Sequence, residues 1–362
     1  MARIPTQNRY PDRAGYTVLN TDTNQLEVFS DGTYKPVGEP FSIFTENIDI
    51  TVGPGGDFTD VNEALAYIQY LQPKFRTVTE VVKSPTGHSF DQFHLDLQIN
   101  LIFKEGYVFT HPIVFENVYA PWLNITQENL AVPLDVNIPY DPVDNNTLIA
   151  IGMWQSHLRN ITLNVKNINL TNLLLTPLFM VNSTLNELRL EVQDVQIGVY
   201  MSHNSVIKQI KHFIANRMKV YGIYLCYNSY AMVNIEAPNE FNVYDVGITY
   251  DQPYAAAICL TESKCIIYSS SSSNIVHYID TVKLVFRLRG QSQLIIHEYV
   301  DTLIDNVQQA ILFGQLVNAG TVSVITPLHI GTNINAIFEP ASITPNNYNN
   351  YLLVTTRSSF TS

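Results

Sequence analysis

The segments Gly198-Val199-Tyr200-Met201-Ser202-His203-Asn204-Ser205 and Gly222-Ile223-Tyr224-Leu225-Cys226-Tyr227-Asn228-Ser229 are close copies 24 residues apart. A looser form of the unit is an apolar run, a turn, a serine, then strand residues. It recurs at Ser156, Ser183, Ser205, Ser229, Ser263 and Ser292, at intervals of 27, 22, 24, 34 and 29 residues. The residues after each serine are also alike: Leu158-x-x-Ile161, Leu185-x-x-Leu188, Ile207-x-x-Ile210, Met232 with Ile235, Ile266-Ile267 and Ile295-Ile296. A unit this short, with two or three strand-sized runs and no helical period, cannot bury a core alone. It must lay its inward side chains on the units before and after it, which is the logic of a β-solenoid. The spacing of leucine-rich repeats and a six-residue period are both absent. The expected fold is therefore all-β, a right-handed parallel β-helix with irregular rungs. An irregular β-sandwich competes, because its strands also come about every 8–12 residues.

Composition agrees with a stacked, turn-rich chain. Hydrophobic residues make up 46% of the 362 residues and charged residues only 14%, so a large core is available and wholesale disorder is excluded. The 34 asparagines point to turns and stacked amide ladders rather than helices. The five N-x-S/T matches, at Asn124, Asn145, Asn160, Asn169 and Asn182, read as turn and ladder residues rather than glycan sites. A net charge of −12 and the lack of a basic stripe argue against a nucleic-acid partner. No long uncharged apolar window suggests membrane insertion. The N-terminus, Met1-Ala2-Arg3-Ile4-Pro5-Thr6, lacks the apolar run of a secretory signal, and the expected site of synthesis is a reducing compartment. Cys226, Cys259 and Cys265 form no CxxC pair and are expected to be buried thiols, with no structural zinc.

Upstream of the repeats, Ile50-Thr51-Val52-Gly53-Pro54-Gly55-Gly56-Asp57-Phe58-Thr59-Asp60 runs from a strand into a glycine-rich turn. Asp57, Thr59 or Asp60 can cap a following helix, with Val61, Leu65, Ile68 and Leu71 on one face. Neither GxGxxG spacing nor a following Lys-Ser/Thr supports a phosphate cradle. A short capping helix over an exposed strand edge is the better reading. Residues 1–46 alternate as short strands joined by Asn/Asp/Gly turns, too small a piece to fold alone. Three parts result: an N-terminal segment 1–46, a solenoid 47–330, and a C-terminal segment 331–362. In the last, Asn-rich Ile343–Tyr351 precedes the apolar Leu352-Leu353-Val354, suited to closing the last rung around a threefold axis.

Val52-Gly53-Pro54-Gly55-Gly56-Asp57-Phe58-Thr59-Asp60-Val61-Asn62-Glu63-Ala64-Leu65 resembles the entry to pectate-lyase-like β-helices of tailed-phage tail spikes. Gly15 to Gly38, with Asn20-Thr21-Asp22-Thr23-Asn24-Gln25-Leu26-Glu27-Val28 and then Asp31-Gly32-Thr33-Tyr34, is similar to N-terminal segments of phage tail fibres. The resemblance implies an intertwined homotrimer, with the N-terminal segment attached to other tail proteins of the virion. It also implies recognition of a host surface polysaccharide. Two alternatives stand beside this: a capsule or O-antigen depolymerase on the same scaffold, and a particle-decoration protein without a receptor role.

A glycosidase needs two carboxylates flanking one bond. Offset 11 from the repeat serines lands on Asp194, Asn216 and Glu240, which makes Asp194 and Glu240 the candidate acid/base pair, with Arg217 beside them for an anionic sugar. Asp245 and Asp251 could be groove acids or turn residues. Lys208, Lys211, His212, Arg217 and Lys219 form the one local basic cluster. His297-Glu298-Tyr299 lacks the second histidine of a zinc helix, and the tract Ser269 to Ser273 has no nucleophile logic. No metal or cofactor is expected. Tyr221, Tyr224, Tyr227, Tyr244 and Tyr250 are the glycan-binding candidates, because a ring with a polar tip suits sugar stacking. The same rings suit a seam between subunits.

Overall fold

The computed structural model describes residues 2–4, 17–20, 25–30, 33–36, 42–73, 97–139, 148–169, 174–235, 240–252, 255–269, 275–282, 284–289, 292–296, 300–305, 309–313, 321–324, 328–330 and 336–340. Among these the chain is strands with a single helix, and one long parallel sheet system joins Ile48–Val52 to Ala336–Pro340. The β-sandwich alternative is thereby excluded. All pairings within that system are parallel, and each rung lies on the next rather than folding back as a hairpin.

A complete rung has three strands. The rung from Ser229 consists of Tyr230–Ile235, Phe241–Val246 and Ala256–Thr261; the next has Lys264–Ser269, Ile275–Val282 and Leu284–Arg289. Two earlier rungs run nearly unbroken through their bends, as Thr184–Ser202 and Val206–Cys226. Stacking reaches Ala336–Pro340 on Gln309–Phe313, inside the segment 331–362 that the sequence assigned to closure. The Asn-rich and apolar stretch from Ile343 lies outside the described residues, as do His297, Glu298, Tyr299 and Ser270 to Ser273.

The spacing of the repeat serines is the rung spacing. Leu158, Leu185, Ile207, Ala231, Cys265 and Leu294 stack in register, at the same five intervals as the serines two residues before them. Every one of these side chains is fully buried. The inward column expected from the sequence holds at Ile267, which is buried and level with Val233, and slips by one residue at Met232 in the Ser229 rung. Ala231 and Val233 point inward there, whereas Met232 pairs with Ile266 and Ile295 in the neighbouring column. Strand alternation then puts Met232 and Ile266 on the outer side, half-buried.

The serines themselves build a buried column. The Ser156 N–H donates to Ser183 Oγ at 3.0 Å, Ser183 N–H to Ser205 Oγ at 3.3 Å, and Ser229 N–H to Ser263 Oγ at 3.2 Å. Each hydroxyl donates back to a carbonyl of its own turn, as Ser205 does to Ser202 at 2.6 Å. A turn that recurs on every rung leaves unpaired N–H groups inside the fold, and serine is short enough to satisfy them without leaving the corner. The residue before each of the first five serines is left-handed: Gln155, Asn182, Asn204, Asn228 and Glu262 have φ of 48, 48, 61, 61 and 51°. Asparagine tolerates that conformation well, which accounts for part of the asparagine excess. Another part is a ladder: Asn124 Nδ2 donates to Asn100 Oδ1 at 2.7 Å, and Asn100 Nδ2 to Asp49 Oδ1 at 2.6 Å.

The entry follows expectation in type and differs in its limits. Asp60 is the N-cap of the helix Val61–Ile68, accepting from the Asn62 N–H at 2.6 Å. Asp57 instead ties the glycine-rich turn to its own strand, accepting from Thr51 N–H and Oγ1 at 2.9 and 2.7 Å. The helix buries Val61, Ala64 and Ile68, while Leu65 is half-buried and Leu71 belongs to the strand Leu71–Pro73. Upstream, Thr17–Asn20, Gln25–Ser30 and Thr33–Pro36 form an antiparallel meander separate from the long system.

Candidate functional site

Outward positions on the third strand of successive rungs carry a line of aromatic rings. Phe179, Tyr200 and Tyr224 are direct register partners. The Phe179 and Tyr200 rings stack 4.7 Å apart at 3°, and Tyr224 meets Tyr200 edge-on at 5.2 Å. Below Phe179 the register position is Gly152, and the Trp154 indole folds over it to lie 5.4 Å from Phe179. At the far end Tyr221 packs against Tyr224 at 4.9 Å, and its hydroxyl accepts from Arg287 Nη1 at 2.8 Å. Ile197, Ala256 and Cys259 pack with Tyr221 in a small apolar cluster separate from the main core. Ring separations close to the spacing of paired strands, about 4.8 Å, make this a track along the stack. Burial raises the Tyr200, Tyr221 and Tyr224 phenols above the usual tyrosine range, so they stay protonated hydrogen-bond donors at neutral pH.

Tyr221 and Tyr224 were legible as candidates, but Trp154 and Phe179 were missed. Their signal was available: Phe179, Tyr200 and Tyr224 precede their repeat serines by 4, 5 and 5 residues. The other three tyrosines sit elsewhere. Tyr227 is half-exposed at the serine corner, its ring 4.9 Å from His203. Tyr244 lies on the middle strand, level with Asn216. Tyr250 belongs to the turn after that strand, and its hydroxyl donates to Asp194 Oδ1 at 3.4 Å.

The second corner of the rung gathers the charged candidates in an order that offset counting did not foresee. Gln193 pairs with Asn216 and Val195 with Met218, which puts Arg217 opposite Asp194. Asn216 pairs with Tyr244 and Met218 with Val246, which puts Asp245 opposite Arg217. All three are left-handed, with φ of 59, 56 and 50°. The Arg217 guanidinium holds the Asp194 carboxylate, whose side chain is only 2% exposed. Asp245 accepts from the Thr249 N–H at 2.9 Å. Glu240 lies five residues before Asp245, and its carbonyl accepts from the Phe213 N–H at 2.6 Å. Asp194 and Glu240 are therefore not level with each other, and the register aligns Asp245 with Asp194 instead. Asp251 sits in the turn after Gly247, its N–H donating to the Ile248 carbonyl at 3.1 Å.

The basic cluster is largely paired with acids. Lys211 and Arg189 reach Glu187 at 3.2 and 2.9 Å, and His212 Nε2 meets Glu191 at 2.9 Å. All three cysteines are free and buried, and burial pushes the Cys259 and Cys265 thiols up to about 12. Among the described residues no three His, Cys, Asp or Glu side chains are grouped to hold a metal, and no helix is long and apolar enough to cross a membrane. No protein-family model matches the chain, and neither does any curated protein or solved structure.

Proposed function

We propose that the chain is a tail spike or fibre protein of a tailed bacteriophage, a homotrimer of right-handed β-helices that binds a bacterial surface polysaccharide. In this reading segment 1–46 docks on other tail proteins and the helix Val61–Ile68 caps the first rung. The observation that carries it is the aromatic track Trp154–Phe179–Tyr200–Tyr224, a row of rings at rung spacing on an outer face. Sugar rings offer C–H faces to aromatic rings and hydroxyls to polar tips, and a row of such platforms suits an extended chain of them.

Binding without cleavage is favoured over depolymerase activity by the state of Asp194. Its carboxylate is engaged by Arg217 and Tyr250. The next carboxylate at its level, Asp245, is two rungs away, about 10 Å at the strand spacing. That is the wide limit of the separation for inverting glycosidases, about 6.5–9.5 Å. Purified protein would be incubated with capsule and lipopolysaccharide from a panel of bacteria, with binding and new reducing ends followed together. Binding that is lost in Tyr224→Ala, with no new reducing ends, is the expected result. New reducing ends would replace the adhesin reading with a depolymerase. Light scattering that shows a monomer at micromolar concentration would sink the trimer.

A further inference from the structure

A cavity of about 580 Å³ lies between the helix Val61–Ile68 and the strands Ile113–Glu116 and Tyr119–Gln127. Its volume is in the range of small-molecule sites, about 300–1,000 Å³. Among the described residues no charged side chain lines it. The Trp122 and Tyr119 rings, 6.3 Å apart and edge to face, form one side, and Tyr119 is 67% exposed. Asn62 on the helix and Gln69 at its C-cap line the other. Asn62 is held in place, its Nδ2 2.8 Å from His111 Nε2. Val114 on the rim pairs with Gly152, the residue that the Trp154 indole covers, so the cavity lies at the N-terminal end of the aromatic track.

We infer that this cavity is a subsite for a single neutral pyranose, the end or side branch of the chain that lies on the track. The exposed Tyr119 ring supplies a face for the C–H side of a sugar, with the buried Trp122 indole behind it, and two carboxamides supply donors and acceptors for its hydroxyls. An acidic sugar would meet no cation among the described lining residues and would have to shed its hydration, a cost that lining does not offset. The link to a longer chain rests on the polysaccharide reading; the preference for a neutral pyranose does not.

The chain has 2 tryptophans, one in each place, which separates the two readings experimentally. In Trp154→Phe protein, Trp122 is the sole tryptophan and reports the cavity. This protein would be titrated with the methyl glycosides of glucose, galactose, mannose and N-acetylglucosamine, and with methyl glucuronide. At least one neutral glycoside is expected to give a saturable change in emission below about 50 mM, an affinity weaker than millimolar. The glucuronide should bind at least tenfold more weakly. Asn62→Ala with Gln69→Ala, both at exposed positions, should weaken the neutral ligand about tenfold while the far-UV circular dichroism is kept. No response to any neutral glycoside, an equal response to the glucuronide, or an indifferent double variant would each overturn the assignment. Polysaccharide on the track is read from Trp154 in Trp122→Phe protein, so failure there counts against the track and not against the cavity.

Discussion

The indole of Trp154 folds back over Gly152 so closely that a β-carbon on the glycine would stand 2.1 Å from a ring carbon. The ring occupies the place of the side chain that Gly152 lacks, and it extends the line of Phe179 downward by one rung. Gly152→Ala is expected to expel the indole from the track. In a Trp122→Phe background its emission should move to longer wavelength, and polysaccharide affinity should fall about tenfold with the loss of one ring platform. Unchanged emission would show that Gly152 does not set the position of the ring.

Removing Arg217 leaves a buried carboxylate without its cation. Breaking a fully buried pair in this way costs about 3–5 kcal/mol. Arg217 is 40% exposed while Asp194 is 2% exposed, so the expected loss for Arg217→Met is smaller, about 2 kcal/mol. Adding Asp194→Asn should restore most of it. A double variant no more stable than Arg217→Met in urea would mean that the pair is not coupled.

Ser205→Ala deletes the acceptor for the Ser183 N–H at a corner that is fully buried. An unsatisfied buried donor costs about 1–3 kcal/mol, and the urea midpoint should drop accordingly. Ser205→Ala indistinguishable from the parent would mean that the column is ornamental to stability.

High pH should loosen the track. Burial raises the pKa values of Tyr200, Tyr221 and Tyr224 above the ordinary tyrosine value of 10.0. A raised folded-state pKa means that these phenols favour folding while neutral. Their contribution is complete below the unfolded value, about 10, and is lost as pH climbs through the folded values. Stability should be flat in this respect from pH 7 to about 9.5 and then fall. Tyr221→Phe should flatten that fall, with phenolate absorbance near 295 nm as the parallel measure. A steeper fall in Tyr221→Phe would contradict burial as the cause.

The rung spacing was legible because serine marks the same corner on six successive rungs, where its hydroxyl takes up an N–H of the neighbouring rung, as at Ser183, Ser205, Ser263 and Ser292. The inward pattern was legible wherever the inward residue is large, as with Leu158, Leu185 and Ile207. It slipped where Ala231 takes the inward place and the larger Met232 points outward. The candidate site was less legible because rungs absorb extra residues at bends. Between Thr184–Ser202 and Val206–Cys226 the register shifts after Leu188 and again after Val195. Between Val233 and Phe241 the next rung takes eight steps where the preceding rung takes three, from Ile210 to Phe213. The corner level with Asp194 therefore falls 11, 12 and 16 residues after successive serines, at Asp194, Arg217 and Asp245. A fixed offset cannot follow that, and only pairing restores it.

The parallel stacking of rungs has a mechanical consequence. Bonds between rungs lie along the long axis, so a pull on the end of the chain loads one rung at a time, like the teeth of a zip, rather than a whole sheet in shear. Each rung that peels away would release its own 22–34 residues of slack, roughly 75–115 Å of extended chain. A force–extension trace should therefore be a staircase of unequal steps, whose order spells out the rung lengths. Pulled from one end, the stack would give way gradually, yielding length before it fails.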